Sequence, residues 1–166
     1  MPPSILKAAL RYAREDWLVL PVRGKAPITA HAYKDGSCDP DQIQRWWREH
    51  AGANVGVVVG EISGLCVLDV DLKSGGIENL ERLVAEHGPL PETPTVATGG
   101  GGRHFYFRYR EEASRSTLAT GVELKARDGY VVAPPSRHVT TGTAYQWISA
   151  KGLPLAELPE WLLGER

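Results

Sequence analysis

The stretch GLCVLDVDL, residues 64–72, decides how the rest of the chain is read. Leu65, Cys66, Val67 and Leu68 form an unbroken apolar run with the composition of a buried strand, opened by a glycine. Asp69 and Asp71 then stand one residue apart where that strand should end. Side chains alternate between the faces of a strand, so the two acids project side by side while Leu68 and Val70 enter the opposite layer. A carboxylate in apolar surroundings is costly unless something positive meets it. The stretch therefore predicts a buried strand with a charged outlet at one end.

Upstream, NVGVVVG (54–60) is a second β-rich run, and PDQIQRWWREH (40–50) reads as a helix with Asp39 as N-cap and Pro40 at its first position. Residues 4–16 place Ile5, Ala9, Tyr12 and Ala13 at helical spacing behind Ser4 as N-cap, and LVLPV (18–22) follows as a short strand. The segment GKAPITAHAYKDGSCD (24–39) has no sustained period and reads as a loop. Downstream, IENLERLVAEHG (77–88) is helical and closed by Gly88. Five short strand candidates follow: TVAT, RHFYFRY, GVELK, YVVAPPS and AYQWIS. LAELPEWLLGER (155–166) reads as a short terminal helix interrupted at Pro159. The pattern predicts a single α+β domain over residues 1–166, with helices to one side of a largely antiparallel or mixed sheet.

A chain of 166 residues with 42% hydrophobic content suffices for one core of ordinary size. Its net charge of −1 neither supports nor excludes nucleic acid, because any such contact would come from a local patch. Cys38 and Cys66 lie far apart and outside any C-x-x-C or Cys/His cluster, so no structural zinc is expected and a reducing, cytoplasmic setting is the simplest reading. The N-terminal pattern lacks the apolar core of a signal peptide, and no window approaches the roughly 18 apolar residues of a membrane helix. The chain is expected to be cytoplasmic with no membrane partner.

Two carboxylates as close as Asp69 and Asp71 repel. A divalent cation between them relieves the repulsion, and hard oxygen ligands suit Mg²⁺ or Mn²⁺; the same pair would also serve as the solvated end of a strand. In GVELK, Glu123 faces away from Val122 and Leu124, either as a third ligand or as an ordinary solvent-facing glutamate. The four glycines of TGGGGRHFYF permit backbone conformations that aim successive N–H groups at an anion, and they permit a hairpin turn equally well. In the strand that follows, His104, Tyr106 and Arg108 share one face and Phe105, Phe107 and Tyr109 the other. The first face is a candidate site and the second a candidate core. The alternating rings also invite comparison with single-strand RNA readers, in which an exposed ring, here Tyr106, would stack a base.

The ordered set RGKAP, ANVGVVVGEISGLCVLDVD, TGGGGRHFYF, GVELKARDGYVVAPPSRH and TAYQW resembles the bifunctional DNA primase/polymerase (prim-pol) N-terminal domain of the archaeo-eukaryotic primase superfamily, over roughly Leu10 to Trp147. The resemblance places Asp69 and Asp71 at the paired acids of that family's first motif. Gly100, Gly101, Gly102, Arg103 and His104 fall at the second, and Glu123 at the acid of the third. It implies that Asp69, Asp71 and Glu123 bind two divalent metals, Mg²⁺ or Mn²⁺, and that His104 and the glycine-loop amides hold the triphosphate of an incoming dNTP or NTP. Lys25, Arg103, Lys125, Ser136, Arg137 and His138 are further candidates for the phosphates or the template. Many relatives carry serine where this chain has Gly100 and aspartate where it has Glu123. The implied fold is a sheet related to the RNA-recognition motif joined to a second small α/β unit, with the active site in the cleft between. The first unit is expected near residues 1–60 plus parts of the C-terminus.

The implied function is template-directed DNA synthesis on single-stranded template and primer, in plasmid or phage replication. A helical priming domain and a helicase often follow in relatives, and neither is present in these 166 residues, so extension is expected to exceed primer initiation. Two alternatives stand beside it. A metal-dependent phosphohydrolase or nuclease would use water as nucleophile and release phosphate or cleaved DNA. A non-catalytic nucleotide- or DNA-binding module would keep its binding after Asp69→Ala and turn nothing over.

Overall fold

The computed structural model describes residues 4–164. The helices form where local signals place them. Helix α1 (Ile5–Arg14) starts at Ser4, whose hydroxyl accepts from the Lys7 N–H at 3.4 Å. Helix α2 (Pro40–Glu49) starts at Asp39, which accepts from Asp41 N–H at 3.0 Å. Helix α3 (Gly76–His87) ends at Gly88.

The strands are β1 (Val19–Arg23), β2 (Ala26–Pro27), β3 (Asn54–Val59), β4 (Leu65–Val70), β5 (Thr95–Ala97), β6 (Arg103–Arg108), β7 (Ser116–Ala119), β8 (Val122–Lys125), β9 (Gly129–Ala133), β10 (Gln146–Trp147) and β11 (Ala156–Glu157). They form two sheets where the sequence pattern predicts one. The first has the order β2-β1-β3-β9, all antiparallel. The second has the order β10-β5-β6-β4-β8-β7, antiparallel throughout, with β11 added parallel to the end of β6. Strand β9 returns from late in the chain to pair along its whole length with Val55–Val59 of β3, so the first sheet combines the N-terminal segment with one C-terminal strand.

Three other expectations are corrected. Residues 24–39 are not wholly loop, because β2 closes a hairpin on β1 and Ala32–Asp35 form a 3₁₀ turn. Strands β7 and β11 are additional to the five expected downstream. The terminal helix reduces to a 3₁₀ turn, Glu160–Leu163, after β11; residues 165–166 of that expected helix lie outside the described residues.

Strand β4 is apolar from Leu65 to Leu68 because it is covered on both faces there. Leu65 and Val67 join Val55, Val57 and Val59 of β3, Val131 of β9 and Tyr106 of β6 in a core between the two sheets. Helices α1 and α2 add Ala9, Tyr12, Ile43 and Trp47 to this core. Cys66, Leu68 and Val70 face the other way, into a second core with Phe107, Val122 and Leu124, covered by Ile77, Leu80 and Leu83 of α3. Both faces of β6 are therefore core along its middle. Tyr106 is fully buried, its ring 5.5 Å from Trp17 and 4.9 Å from Trp147 between centroids. A ring so enclosed cannot stack a base, and that expectation is withdrawn.

Candidate functional site

The face of β4 that buries Leu65 and Val67 reaches Asp69 two residues further on, where a cleft of about 600 Å³ opens between the sheets. Val59, Tyr130 and Val131 of the first sheet line one side; Asp69, His104 and Lys125 of the second line the other. Register brings these three together. Asp69 is the cross-strand partner of His104 on β6 and of Glu123 on β8, giving the row His104, Asp69, Glu123 across three strands. Lys125 follows Glu123 on the same face of β8.

Asp69 divides its oxygens. Oδ1 lies 3.2 Å from His104 Nε2 and Oδ2 lies 3.5 Å from Lys125 Nζ. Burial pushes the Asp69 carboxyl up, but His104 and Lys125 outweigh it and hold the pKa below the ordinary aspartate value. His104 is 6% exposed, and with Nε2 given to Asp69 its Nδ1 is buried without a hydrogen-bond partner. A buried ring nitrogen left without a partner is uncommon and sets this cleft-lining histidine apart from an ordinary core residue.

Asp71 sits just past β4, where its N–H donates to Gly121 C=O at 2.8 Å. Its carboxylate lines the cleft and accepts from the Lys73 N–H at 3.1 Å and the Ser74 hydroxyl at 3.0 Å. Glu123 is turned to Arg115, whose Nε donates to Oε1 at 2.8 Å. Each carboxylate thus has its own partner, and among the described residues no three His, Cys, Asp or Glu side chains form a metal-holding group as they stand. The donor chemistry still fits a hard divalent cation. Asp69 and Asp71 flank the end of one strand, Glu123 lies in register beside Asp69, and all three offer carboxylate oxygens.

The glycine loop is first a hairpin turn between β5 and β6. Gly101 N–H donates to Thr98 C=O at 3.0 Å and Gly102 N–H to the Thr98 hydroxyl at 2.9 Å, so these two amides are spent within the turn and are not free for an anion. Gly101 has φ +91°, and a Cβ at Gly102 would lie 2.1 Å from Val70 O, so both positions require glycine on backbone grounds. Gly100 alone of the three candidates lines the cleft. Beside it stands His138, whose Nδ1 accepts the N–H groups of Thr140 at 3.2 Å and Thr141 at 3.3 Å. That fixes the ring proton on Nε2, the atom 3.5 Å from where a Gly100 Cβ would be.

Of the other candidates, Lys25 and Lys125 line the cleft with His138. Three do not. Arg103 takes the opposite face of β6 from His104, and its guanidinium donates to the Gly102 carbonyl at 2.8 Å. Ser136 is fully buried, its hydroxyl accepting from the Val55 N–H at 2.9 Å and donating to the Val55 carbonyl at 3.3 Å, so it fastens the chain after β9 to β3. Arg137 points out to solvent and donates to the Gly142 carbonyl at 2.9 Å.

The cleft also contains residues that the sequence reading missed: Lys73, Arg115, Tyr130 and Tyr145. Tyr145 is 4% exposed, its ring 6.2 Å from that of His104, and burial together with the Asp69 charge pushes its phenol up. No helix of the described residues is long and apolar enough to cross a membrane.

No curated protein matches the chain. A family model described as bifunctional DNA primase/polymerase, N-terminal, matches residues 9–161, which takes in every strand, all but the first turn of α1, and the whole of the cleft. The chain belongs to the bifunctional DNA primase/polymerase N-terminal family.

Proposed function

We propose that this chain is the catalytic domain of a template-directed DNA primase/polymerase, which joins a (d)NTP to a primer 3′-hydroxyl and releases pyrophosphate. The cleft between the two sheets is its active site, and the two units are the RRM-like sheet and small α/β unit of a primase-type core. The observation that carries the reading is the cross-strand row His104, Asp69, Glu123, in which His104 and Asp69 line the cleft with Asp71 and Glu123 stands in register beside Asp69, turned to Arg115.

Asp69, Asp71 and Glu123 would hold two Mg²⁺ or Mn²⁺ ions, which when bound activate the attacking hydroxyl and neutralise the leaving pyrophosphate. The remaining residues bind and orient. His104 is held by Asp69 through Nε2 and keeps that carboxylate oriented at the cleft. His138 presents its Nε2 proton beside Gly100, and Lys25 and Lys125 bring positive charge to the same cleft. Tyr130, half-buried on the cleft wall, offers ring surface to a sugar or base. The partners are single-stranded template, primer and nucleotide, with a helical priming domain and a helicase in the same parent protein, acting in plasmid or phage replication in the cytoplasm.

The test is incorporation of labelled deoxynucleotides on a primed single-stranded template with Mg²⁺ or Mn²⁺, comparing the chain with its Asp69→Ala/Asp71→Ala variant. Template-dependent extension with stoichiometric pyrophosphate, lost in the variant, is the expected result. Release of inorganic phosphate or cleaved DNA without extension would overturn the reading in favour of hydrolysis.

A further inference from the structure

Asp69 and Glu123, two of the three proposed metal-binding carboxylates, already face cations of this chain. Lys125 Nζ stands 3.5 Å from Asp69 Oδ2, and Arg115 Nε stands 2.8 Å from Glu123 Oε1. The two pairs are adjacent, because Asp69 and Glu123 are register partners and Lys125 follows Glu123 on the same face of β8. Lys125 and Asp69 are about equally enclosed, at 30% and 26% side-chain exposure, so their attraction is only partly screened by water. Arg115 is 70% exposed and can leave at little cost.

Asp69 uses its two oxygens for different neighbours. Oδ1 belongs to His104, a ring 6% exposed and fixed within the sheet. Oδ2 belongs to an ammonium on a flexible four-carbon stem. One partner is fixed and the other can be exchanged. A divalent ion taking Oδ2 would stand within a few ångströms of the Lys125 ammonium, and like charges at that distance repel strongly in a half-buried site. The ammonium must then move, and the anion that enters the same cleft with the metal is a triphosphate.

We infer that Lys125, with Arg115 beside it, is a displaceable counter-ion. It pairs with the Asp69 carboxylate and holds it in position before the metal arrives, yields Oδ2 to the metal, and re-pairs with the nucleotide's phosphates. Metal and nucleotide therefore favour each other's binding, by the same factor in either order. His104 holds the carboxylate still through the exchange. This inference rests on the metal reading above.

The experiment is a Mn²⁺ titration of the full chain, without primer or template, followed by loss of the free-ion signal in electron paramagnetic resonance. It compares wild type, Lys125→Met, Lys125→Gln, Lys125→Arg and Asp69→Asn, each with and without α,β-methylene-dATP. Lys125→Met and Lys125→Gln should bind Mn²⁺ alone about 5- to 10-fold more tightly than wild type, and the tightening that the nucleotide analogue brings should shrink in both. Lys125→Arg, which keeps the charge, should show no gain. Neutral variants that bind Mn²⁺ no more tightly than wild type, while Asp69→Asn loses binding, would overturn the counter-ion role and leave the metal site standing. Unchanged affinity in Asp69→Asn, or no Mn²⁺ binding in any of the five proteins, would overturn the metal reading and this inference with it.

Discussion

Asn54, the first residue of β3, is 8% exposed, and its side-chain amide spans two loops. Nδ2 donates to Gly24 C=O at 3.2 Å and to Arg137 C=O at 2.9 Å, while Oδ1 accepts from the Arg137 N–H at 3.1 Å. Gly24 precedes Lys25 and Arg137 precedes His138, so one amide fastens the two segments that bring these side chains to the cleft. Asn54→Ala removes all three hydrogen bonds and leaves two carbonyls and one N–H short of partners. At about 1–1.5 kcal/mol for each bond, with part of the loss recovered by water, the expected destabilisation is about 2–4 kcal/mol. In a chain of this length that lowers the thermal midpoint by roughly 5–15 °C. Urea unfolding followed by tryptophan fluorescence reads the free energy directly, and the denaturant slope should stay unchanged if only the native state is affected. Asn54→Asp is the sharper control. It keeps the bond from the Arg137 N–H but sets a carboxylate oxygen against two carbonyls, so it should cost at least as much at neutral pH and recover part of the loss in acid as the carboxyl protonates. A loss below about 1 kcal/mol in Asn54→Ala would show that the amide merely fills space and that other contacts hold the two loops.

Two further predictions concern buried phenols. Tyr106 Oη is buried without a partner, so Tyr106→Phe should raise stability by up to about 1 kcal/mol in the same urea assay and leave binding of single-stranded DNA unchanged; weaker DNA binding would reopen the stacking role withdrawn above. Tyr12 donates to Pro134 C=O and accepts from Trp147 Nε1, and burial pushes its pKa up to about 12 from 10.0. A folded-state pKa above the unfolded one gives stability that is complete below pH 10.0 and is lost as pH rises toward about 12. Over that window the loss amounts to roughly 2–3 kcal/mol. Thermal melts between pH 9 and 12 should show wild type losing stability more steeply than Tyr12→Phe, and parallel curves would refute the assignment.

What the sequence made legible was local. The Ser4 and Asp39 caps, the Gly88 stop and the apolar run of β4 each depend on neighbours a few residues away. What it concealed was distant pairing. Nothing in GYVVA says that it pairs with NVGVVV far upstream rather than with the adjacent VELK, yet that choice divides the strands into two sheets and opens the cleft between them. Strands β7 and β11 are short, and β7 carries a register shift between Thr117 and Ala119, so neither presents an alternating pattern. The same limit applies to the site. Asp69, His104 and Glu123 could be picked out as residue types, but their union in one row follows from cross-strand register. Ser136 looked like a phosphate ligand because a serine that satisfies a neighbouring strand is spelled like one that faces a ligand. Arg115 carried no signal in EEASRS, and only the β7–β8 hairpin brings it to Glu123.

The position of Asp69 shows how a site can be built from a core without a separate scaffold. Along one face of β4, Leu65 and Val67 are fully buried between the sheets, and Asp69 continues their line at 26% side-chain exposure. On β6 the same change runs from Tyr106 to His104, and on β8 the cleft face carries Glu123 and Lys125 while Val122 and Leu124 lie in the core behind. Packing that fixes the backbone of these strands therefore also fixes Asp69, His104 and Glu123, since Asp69 and His104 are each two positions from a core residue on the same strand and Glu123 is flanked by core residues on the other face. The cost is a carboxylate placed where solvation is incomplete, which on its own would favour protonation. His104 and Lys125 offset that cost as one fixed and one mobile partner, and the outcome is an Asp69 pKa below its ordinary value. Had both partners been rigid, the carboxylate would be committed to an internal ion pair. Had both been mobile, nothing would hold it at the cleft mouth when the pair opened. The division of its two oxygens between a sheet-bound ring and a flexible ammonium reconciles a rigid site with one that can exchange partners.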